Sequence, residues 1–145
     1  MTVATMPSTP EVVNKTRKLR VLVVDDSAGM RVYLRAILTG AGYESVEVAD
    51  GGAAFDALLA GGFDLVITDL DMPEMDGFAL LSAISLLPLS RGRPPVIVCS
   101  AMLGEGMTER RPELRLAAVR LAKPVQPEDV LKAAEKAVKV GPARD

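Results

Sequence analysis

The sequence predicts an α/β fold in which a doubly wound sheet of five parallel strands carries helices on both faces. Short apolar runs rich in β-branched residues alternate along the chain with segments whose apolar residues recur at helical spacing. Glycine or proline follows several of the helical segments, as is typical of helix ends. Because parallel strands need right-handed crossover connections, this alternation indicates helices on both sides of one sheet.

Five segments are predicted to be strands. Residues 19 to 24, 64 to 68 and 95 to 100 are uninterrupted apolar runs, which are typical of strands buried on both faces. Residues 44 to 49 alternate apolar and polar side chains, which favours an edge strand with one face in water. Residues 118 to 122 form a short fifth candidate.

Five helical segments are predicted between and after the strands. Residues 27 to 41, 51 to 60 and 77 to 87 place apolar side chains at helical spacing. The segment 104 to 117 is expected to be short, kinked or begun late, because a proline inside a regular helix removes a backbone hydrogen bond. The last helix is predicted to begin at Pro127, with acidic residues in the first turn, where the helix dipole favours them.

The length and composition indicate one globular domain. A chain of 145 residues can bury one substantial core, and 49% hydrophobic with 25% charged residues is typical of a globular protein. We expect residues 1–17 to be a flexible N-terminal tail, residues 18–141 to be the folded domain and residues 142–145 to be a C-terminal tail. A second, output domain does not fit in this length, so the domain is expected to stand alone.

Composition also disfavours several classes of function. No apolar run approaches the roughly 20 residues of a membrane span, and the N-terminus lacks the apolar segment of a signal peptide. The single cysteine, Cys99, lies in an apolar run and is predicted to be a buried core residue of a cytoplasmic protein. A small basic cluster before the first strand and an aromatic content of 3% give little basis for nucleic-acid binding.

Polar residues follow four of the predicted strands, at the edge where parallel strands end together. They are Asp25 and Asp26 after the first strand, Asp69 after the third, Ser100 at the end of the fourth and Lys123 after the fifth. In doubly wound sheets ligands bind at this edge. Each residue alone has an ordinary interpretation, such as a helix cap or a loop hydroxyl, but their convergence favours a functional site.

The chemistry of these residues points to a phosphoryl group and a divalent cation. Three neighbouring carboxylates repel one another unless a cation neutralises them. Oxygen ligands in a chain without histidine suit Mg²⁺, with Mn²⁺ as an alternative. Lys123 can pair with one phosphoryl oxygen and Ser100 can donate to another. Asp69 is the predicted nucleophile, since aspartyl phosphates are established covalent intermediates.

These motifs resemble the response-regulator receiver domains of two-component signalling, a group that includes the chemotaxis receivers. The resemblance covers about residues 19 to 140. It rests on four motifs in the family's order and approximate spacing: DD at 25 and 26, TDLDMPEMDG around Asp69, SA at 100 and 101, and KP at 123 and 124. The resemblance implies a (βα)5 flavodoxin-like sheet with the strand order 2-1-3-4-5.

By this resemblance, Asp69 accepts a phosphoryl group from a sensor histidine kinase or a histidine phosphotransfer protein. Lys123 is then expected to contact the phosphoryl group, and Ser100 to move toward it. The domain is expected to act on an unknown protein target by contact, and to be no enzyme beyond its own phosphorylation and slow autodephosphorylation. The neighbouring acidic residues Glu74 and Asp76 are expected to be solvated turn residues.

The resemblance also implies the ligands of the metal. The carboxylates of Asp26 and Asp69 and the backbone carbonyl of Asp71 are expected to bind Mg²⁺ directly, whereas Asp25 is expected to act through water. The metal would offset the negative charge that collects in this loop.

One position departs from the family pattern. Receivers with the common aromatic switch carry a ring three residues before the lysine, where this chain has Arg120. We expect Arg120 to change ion-pair partners between the two phosphorylation states, aided by the unusual segment around Pro112.

Two other functions remain open. The chain could be an interaction module that keeps the receiver fold and is not phosphorylated. The run LVITDLDM also partly resembles the signature of haloacid-dehalogenase-like phosphatases, which use an Asp nucleophile and Mg²⁺. Against a phosphatase, Pro73 stands where that signature usually has Thr or Val, and the acidic pair comes first in the chain.

Overall fold

The computed structural model describes residues 17–88 and 93–140. The predicted C-terminal tail, and the predicted N-terminal tail apart from residue 17, lie outside the described residues. The predicted domain boundaries at residues 18 and 141 therefore stay predictions.

One parallel sheet of five strands forms the centre of the fold. Its strands are β1 (Arg20–Val24), β2 (Glu44–Val48), β3 (Leu65–Thr68), β4 (Val96–Ser100) and β5 (Val119–Ala122). Their order across the sheet is β2-β1-β3-β4-β5, and every neighbouring pair is parallel. The predicted flavodoxin-like order 2-1-3-4-5 is therefore confirmed.

Helices connect the strands and follow the last one. They are α1 (Ala28–Gly40), α2 (Gly51–Ala60), α3 (Gly77–Ser85), α4 (Met107–Arg110), a 3₁₀ helix (Pro112–Leu116) and α5 (Pro127–Val140). Within the described ranges, no helix combines the length and the apolar character that a membrane crossing requires.

Two apolar layers cover the two faces of the sheet, because alternate side chains of each strand point to opposite sides. Leu22 and Val24 of β1 pack in the layer that contains the buried residues of α2 and α3. Val21 and Val23 pack in the other layer, with buried residues of α1 and α5. The uninterrupted apolar runs in the sequence therefore correspond to strands buried on both faces, as predicted.

The edge strand β2 differs in one respect from its prediction. It lies at an edge of the sheet, but Glu47 on its polar side is half-buried rather than open to water. The guanidinium groups of Arg31 and Arg35 in α1 cover this carboxylate, at 3.9 and 3.0 Å from its two oxygens. The alternating pattern identified the edge strand but not the arginines that shield it.

The segment around Pro112 is short and broken, as its sequence predicts. Helix α4 has four residues, and a 3₁₀ helix begins directly at Pro112, which has no N–H to donate. Leu114 is fully buried and anchors this segment in the core. The guanidinium of Arg111 lies over the ring of Phe78 in α3, 3.6 Å from its centroid.

Gly77, at the start of α3, is required by close packing against the loop that follows β3. A Cβ added at Gly77 would lie 2.1 Å from the carbonyl oxygen of Asp69 and 2.7 Å from Leu70 Cα. Both obstacles are backbone atoms, so a side-chain rotation cannot relieve the clash.

We therefore expect Gly77→Ala to lower the free energy of unfolding by about 1 to 3 kcal/mol, as overpacking of a well-packed site does. Urea unfolding followed by far-ultraviolet circular dichroism measures the change. Gly40→Ala is the matched control, because a Cβ there meets nothing within 4 Å. Equal stability of Gly77→Ala and the wild type would contradict the packing argument.

Cys99 is 2% exposed in the core, as predicted. Burial is the main reason that the pKa of its thiol rises to about 11; Lys123 lowers it, and Asp25 and Asp69 raise it further. At pH 8 a thiol with this pKa is about one part in a thousand thiolate, and the fraction grows as the pH approaches 11.

We expect Ellman's reagent to label Cys99 in the native protein at least tenfold more slowly than Cys99 in the denatured protein. Equal rates would show that the thiol is accessible.

Candidate functional site

The carboxyl ends of β1, β3, β4 and β5 bring four predicted site residues to one edge of the sheet. Asp25, Asp69 and Ser100 are 2%, 8% and 0% exposed, so three polar side chains are buried there. The pairing of Val24 with Thr68 places Asp25 and Asp69 at the ends of adjacent strands, and the Asp69 amide donates to the Val24 carbonyl at 3.0 Å.

Lys123 lies between the two buried carboxylates. Its Nζ is 2.8 Å from Asp25 Oδ2 and 3.1 Å from Asp69 Oδ2. Burial acts to lower the pKa of Lys123, but hydrogen bonds and charge interactions with the two aspartates together raise it above its ordinary value. Lys123 is therefore a cation at neutral pH.

Backbone amides hold the other oxygen of each buried carboxylate. Asp25 Oδ1 accepts from the amide of Ser27 at 2.9 Å, and Asp69 Oδ1 accepts from the amide of Leu70 at 2.7 Å. Each carboxylate is thus oriented by one amide and by the shared lysine. Both carboxylates therefore have a fixed orientation, with one oxygen toward the ammonium of Lys123.

Asp26 completes an acidic cluster with Asp25 and Asp69. One carboxylate oxygen from each of the three residues lies within 4.8 Å of the corresponding oxygens of the other two. An octahedral Mg²⁺ with ligands at about 2.1 Å places neighbouring oxygens about 3 Å apart and opposite ones about 4.2 Å apart. The donor set is all oxygen and carries more negative charge than Lys123 neutralises, so a small inward shift lets these residues fit the ion.

Asp71 is placed differently from the three aspartates of the acidic cluster. Its side chain is exposed in the loop after β3, and it is not a member of the acidic cluster. The contribution predicted for Asp71 is that of its backbone carbonyl, and this stays a prediction.

The hydroxyl of Ser100 is held within its own turn. Its Oγ accepts from the amide of Met102 at 3.0 Å, and its side chain is fully buried. Ser100 ends β4 beside β5, and its carbonyl accepts from the amide of Lys123 at 3.0 Å. The residue therefore lies at the predicted edge, with its oxygen directed toward the turn.

Three contacts at this edge were not anticipated from the sequence. Thr68 Oγ1 donates to the Asp69 carbonyl at 2.9 Å, and Arg31 Nη1 donates to the Asp25 carbonyl at 2.6 Å. Asp76, expected to be a solvated turn residue, is also the N-cap of α3 and accepts from the amide of Ala79 at 2.9 Å. An aspartate just before a helical pattern is a recognised N-cap signal, so this role could have been predicted.

Arg120 contacts the unusual segment but not through an ion pair. Its Nη1 donates to the carbonyl of Leu114 at 2.9 Å, and within residues 17–88 and 93–140 no carboxylate forms an ion pair with it. In this conformation the guanidinium of Arg120 therefore binds a backbone carbonyl, and the expected change of ion-pair partners between the two phosphorylation states stays a prediction.

An open groove adjoins the cluster on the side of Lys123. It has a volume of about 590 Å³ and is lined by residues of α1 and of the turn before α5, among them Met30, Tyr33 and Val125. The hydroxyl of Tyr33 donates to the Val125 carbonyl at 2.8 Å and joins the two sides.

Comparison with known proteins identifies the family. The family model described as "Response regulator receiver domain" matches residues 21–135. A protein-glutamate methylesterase/protein-glutamine glutaminase of Archaeoglobus fulgidus is 40% identical over 102 residues, which are 70% of this chain and 28% of that protein. A second protein of that name, from Carboxydothermus hydrogenoformans, is 43% identical over 110 residues, 74% of this chain and 30% of that protein. The chain thus spans less than a third of either relative.

Solved structures agree with the fold. The chemotaxis response regulator CheY4 of Vibrio cholerae has a TM-score of 0.74 and 30% identity, covering 83% of this chain and 99% of that one. A putative response regulator from Chloroflexus aurantiacus has a TM-score of 0.76 and 26% identity, covering 85% of this chain and 99% of that one. Because the family match extends over nearly all of the folded residues, the chain belongs to the response regulator receiver domain family.

Proposed function

We propose that this receiver domain accepts a phosphoryl group on Asp69 and transmits the signal by protein contact. The observation that carries the proposal is the placement of Asp69, whose carboxylate is oriented by the Leu70 amide and lies 3.1 Å from the ammonium of Lys123. A nucleophile that is fixed beside a cation needs little reorganisation to attack phosphorus.

The proposed donor is a phosphohistidine on a sensor histidine kinase or a histidine phosphotransfer protein. An oxygen of Asp69 forms the new bond to phosphorus, the bond from phosphorus to the imidazole nitrogen breaks, and that nitrogen keeps the electron pair. Lys123 has a raised pKa, so it remains protonated and can stabilise the charge on the transferred phosphoryl oxygens. The groove beside Lys123 leaves space for the donor side chain.

In this proposal, Asp26, Asp69 and the backbone carbonyl of Asp71 hold Mg²⁺ directly and Asp25 holds it through water, with Mn²⁺ as an alternative. Support for a metal comes from the three carboxylate oxygens that can lie within 4.8 Å of one another. When bound, the ion would neutralise charge on the carboxylates and on the phosphoryl group. Ser100, at the end of β4, would leave the Met102 amide and donate to a phosphoryl oxygen.

The proposal assigns no esterase or glutaminase activity to this chain. The two relatives with those names share less than a third of their length with it, and the family match alone accounts for residues 21–135. We place the protein in the cytoplasm, without membrane insertion or nucleic-acid binding. The expectation that the domain acts on its own stays a prediction, and the mass of the protein isolated from its native cells tests it.

Incubation with acetyl phosphate tests the phosphoacceptor. Intact-mass spectrometry should show one labile phosphate on the wild type in Mg²⁺, at least tenfold less in EDTA, and none on Asp69→Asn. The substitution removes the nucleophilic oxygen while it keeps nearly the same shape.

The same experiment separates the competing functions. Label retained by Asp69→Asn would place the nucleophile elsewhere. A wild type that takes up no phosphate would support an interaction module that works without phosphorylation. Sustained release of phosphate from a phosphomonoester, over many turnovers, would support a phosphatase.

Removal of Lys123 should destabilise the protein most when no metal is present. Lys123→Met leaves two buried carboxylates without their shared cation, so we expect a loss of about 1 to 3 kcal/mol in EDTA. Mg²⁺ should restore part of this stability, since it replaces the missing positive charge. Urea unfolding with and without Mg²⁺ measures both effects.

Lys136→Met is the matched control, because Lys136 is exposed on α5, away from the acidic cluster. Its stability should stay within about 0.5 kcal/mol of the wild type. Equal losses in the two variants would show that Lys123 has no special relation to the carboxylates.

A further inference from the structure

Asp26 differs from the other two carboxylates of the cluster in how it is held. Asp25 and Asp69 each accept hydrogen bonds on both oxygens, from a backbone amide and from Lys123. Asp26 is exposed, and its carboxylate makes no hydrogen bond or ion pair to any residue that the structure describes. Its position near the other two oxygens must therefore be set by its backbone.

Arg31 holds the peptide group that leads to Asp26. Its Nη1 donates to the carbonyl oxygen of Asp25 at 2.6 Å. That carbonyl and the amide of Asp26 belong to one planar peptide unit, so a fixed oxygen also fixes the direction in which the chain enters Asp26. On the preceding side, the Asp25 amide donates to the Val48 carbonyl at 3.2 Å.

Arg31 is itself fixed by two elements. It lies in the first turn of α1, whose N-cap Ser27 accepts from the amide of Met30 at 3.2 Å. Its half-buried side chain passes Glu47 of β2, with Nε 3.9 Å from Oε1. The rigid, forked guanidinium can meet a carbonyl on one branch and a carboxylate on another, which a lysine ammonium cannot do with the same geometry.

We propose that Arg31 is a positioning residue of the metal site. It orients the peptide between Asp25 and Asp26 so that the Asp26 carboxylate faces the other two. The inference rests on the proposed function, since it concerns the Mg²⁺ that would assist transfer to Asp69. Charge alone predicts the opposite effect, because a nearby guanidinium repels a divalent cation.

Positioning by Arg31 would strengthen Mg²⁺ binding, whereas its charge alone would weaken it. The Mg²⁺ dissociation constant, measured by isothermal titration calorimetry on the full chain, therefore distinguishes the two effects. Arg31→Met removes the guanidinium and keeps an unbranched stem. If Arg31 positions Asp26, the dissociation constant should rise about tenfold or more, as is typical when a partner that orients a ligand is lost. An unchanged or tighter constant would overturn the proposal.

Arg35→Met is the matched control. Arg35 lies one turn later in α1 and binds the same Glu47, with Nη1 at 3.0 Å from Oε2, but within residues 17–88 and 93–140 it makes no hydrogen bond or ion pair with the loop of Asp25. We expect its dissociation constant to stay within about twofold of the wild type. A tenfold rise in this variant as well would overturn the specific role of Arg31, because a general loss of helix packing would then explain both rises.

A spectroscopic readout reports the geometry directly. In metal-free protein, the amide resonance of Asp26 should shift in Arg31→Met and stay in place in Arg35→Met, because only Arg31 bonds the peptide that contains this amide. If the amide resonance of Asp26 keeps its wild-type position in both variants, the proposal is overturned. Should Arg31→Met fail to fold, Arg31→Lys replaces it, and wild-type affinity in folded Arg31→Lys would likewise count against the role.

Mg²⁺ binding by the wild-type protein distinguishes a failure of this inference from a failure of the proposed function. A wild type that binds no Mg²⁺ overturns the proposed metal site. A wild type that binds Mg²⁺ while Arg31→Met binds it equally well overturns the role of Arg31 alone.

Discussion

Repulsion among three carboxylates at one edge of the sheet is the constraint on which the rest of the site depends. The fold offsets it only in part, with one lysine ammonium and two backbone amides on the buried pair. Two carboxylates are buried and the third is exposed, so the cluster keeps an excess of negative charge toward solvent. This excess favours a divalent cation, and in the proposed function the cation would in turn offset the negative charge of a phosphoryl group.

The apolar layers keep these charges together. A parallel sheet covered on both faces cannot shift its register without exposing apolar side chains, so the ends of β1 and β3 stay side by side. The loop after β3 is held in turn by Gly77, which leaves room for the Asp69 carbonyl, and by Asp76, which caps α3. Apolar burial therefore keeps the strand ends side by side, and the polar loops orient the carboxylates there.

The sequence predicted the features that follow from topology. Parallel strands end at one edge, so residues after β1, β3 and β5 had to converge, and Asp25, Asp69 and Lys123 do. Contacts that depend on how a helix rotates over a neighbouring strand were not predictable from periodicity. The hydrogen bond from Arg31 to the Asp25 carbonyl and its ion pair with Glu47 are contacts of this kind, because a long side chain can reach several partners.

Guanidinium groups connect α3 with the 3₁₀ helix, and the 3₁₀ helix with β5. Arg111 stacks on Phe78, the residue after Gly77, and Arg120 donates to Leu114 in the 3₁₀ helix. Arg111 is 41% exposed, so its stacking contributes roughly 0.5 to 1 kcal/mol, and one hydrogen bond adds roughly 0.5 to 1.5 kcal/mol. The two arginines and the buried ring of Phe78 therefore form one continuous path of contacts from the start of α3 through the 3₁₀ helix to β5.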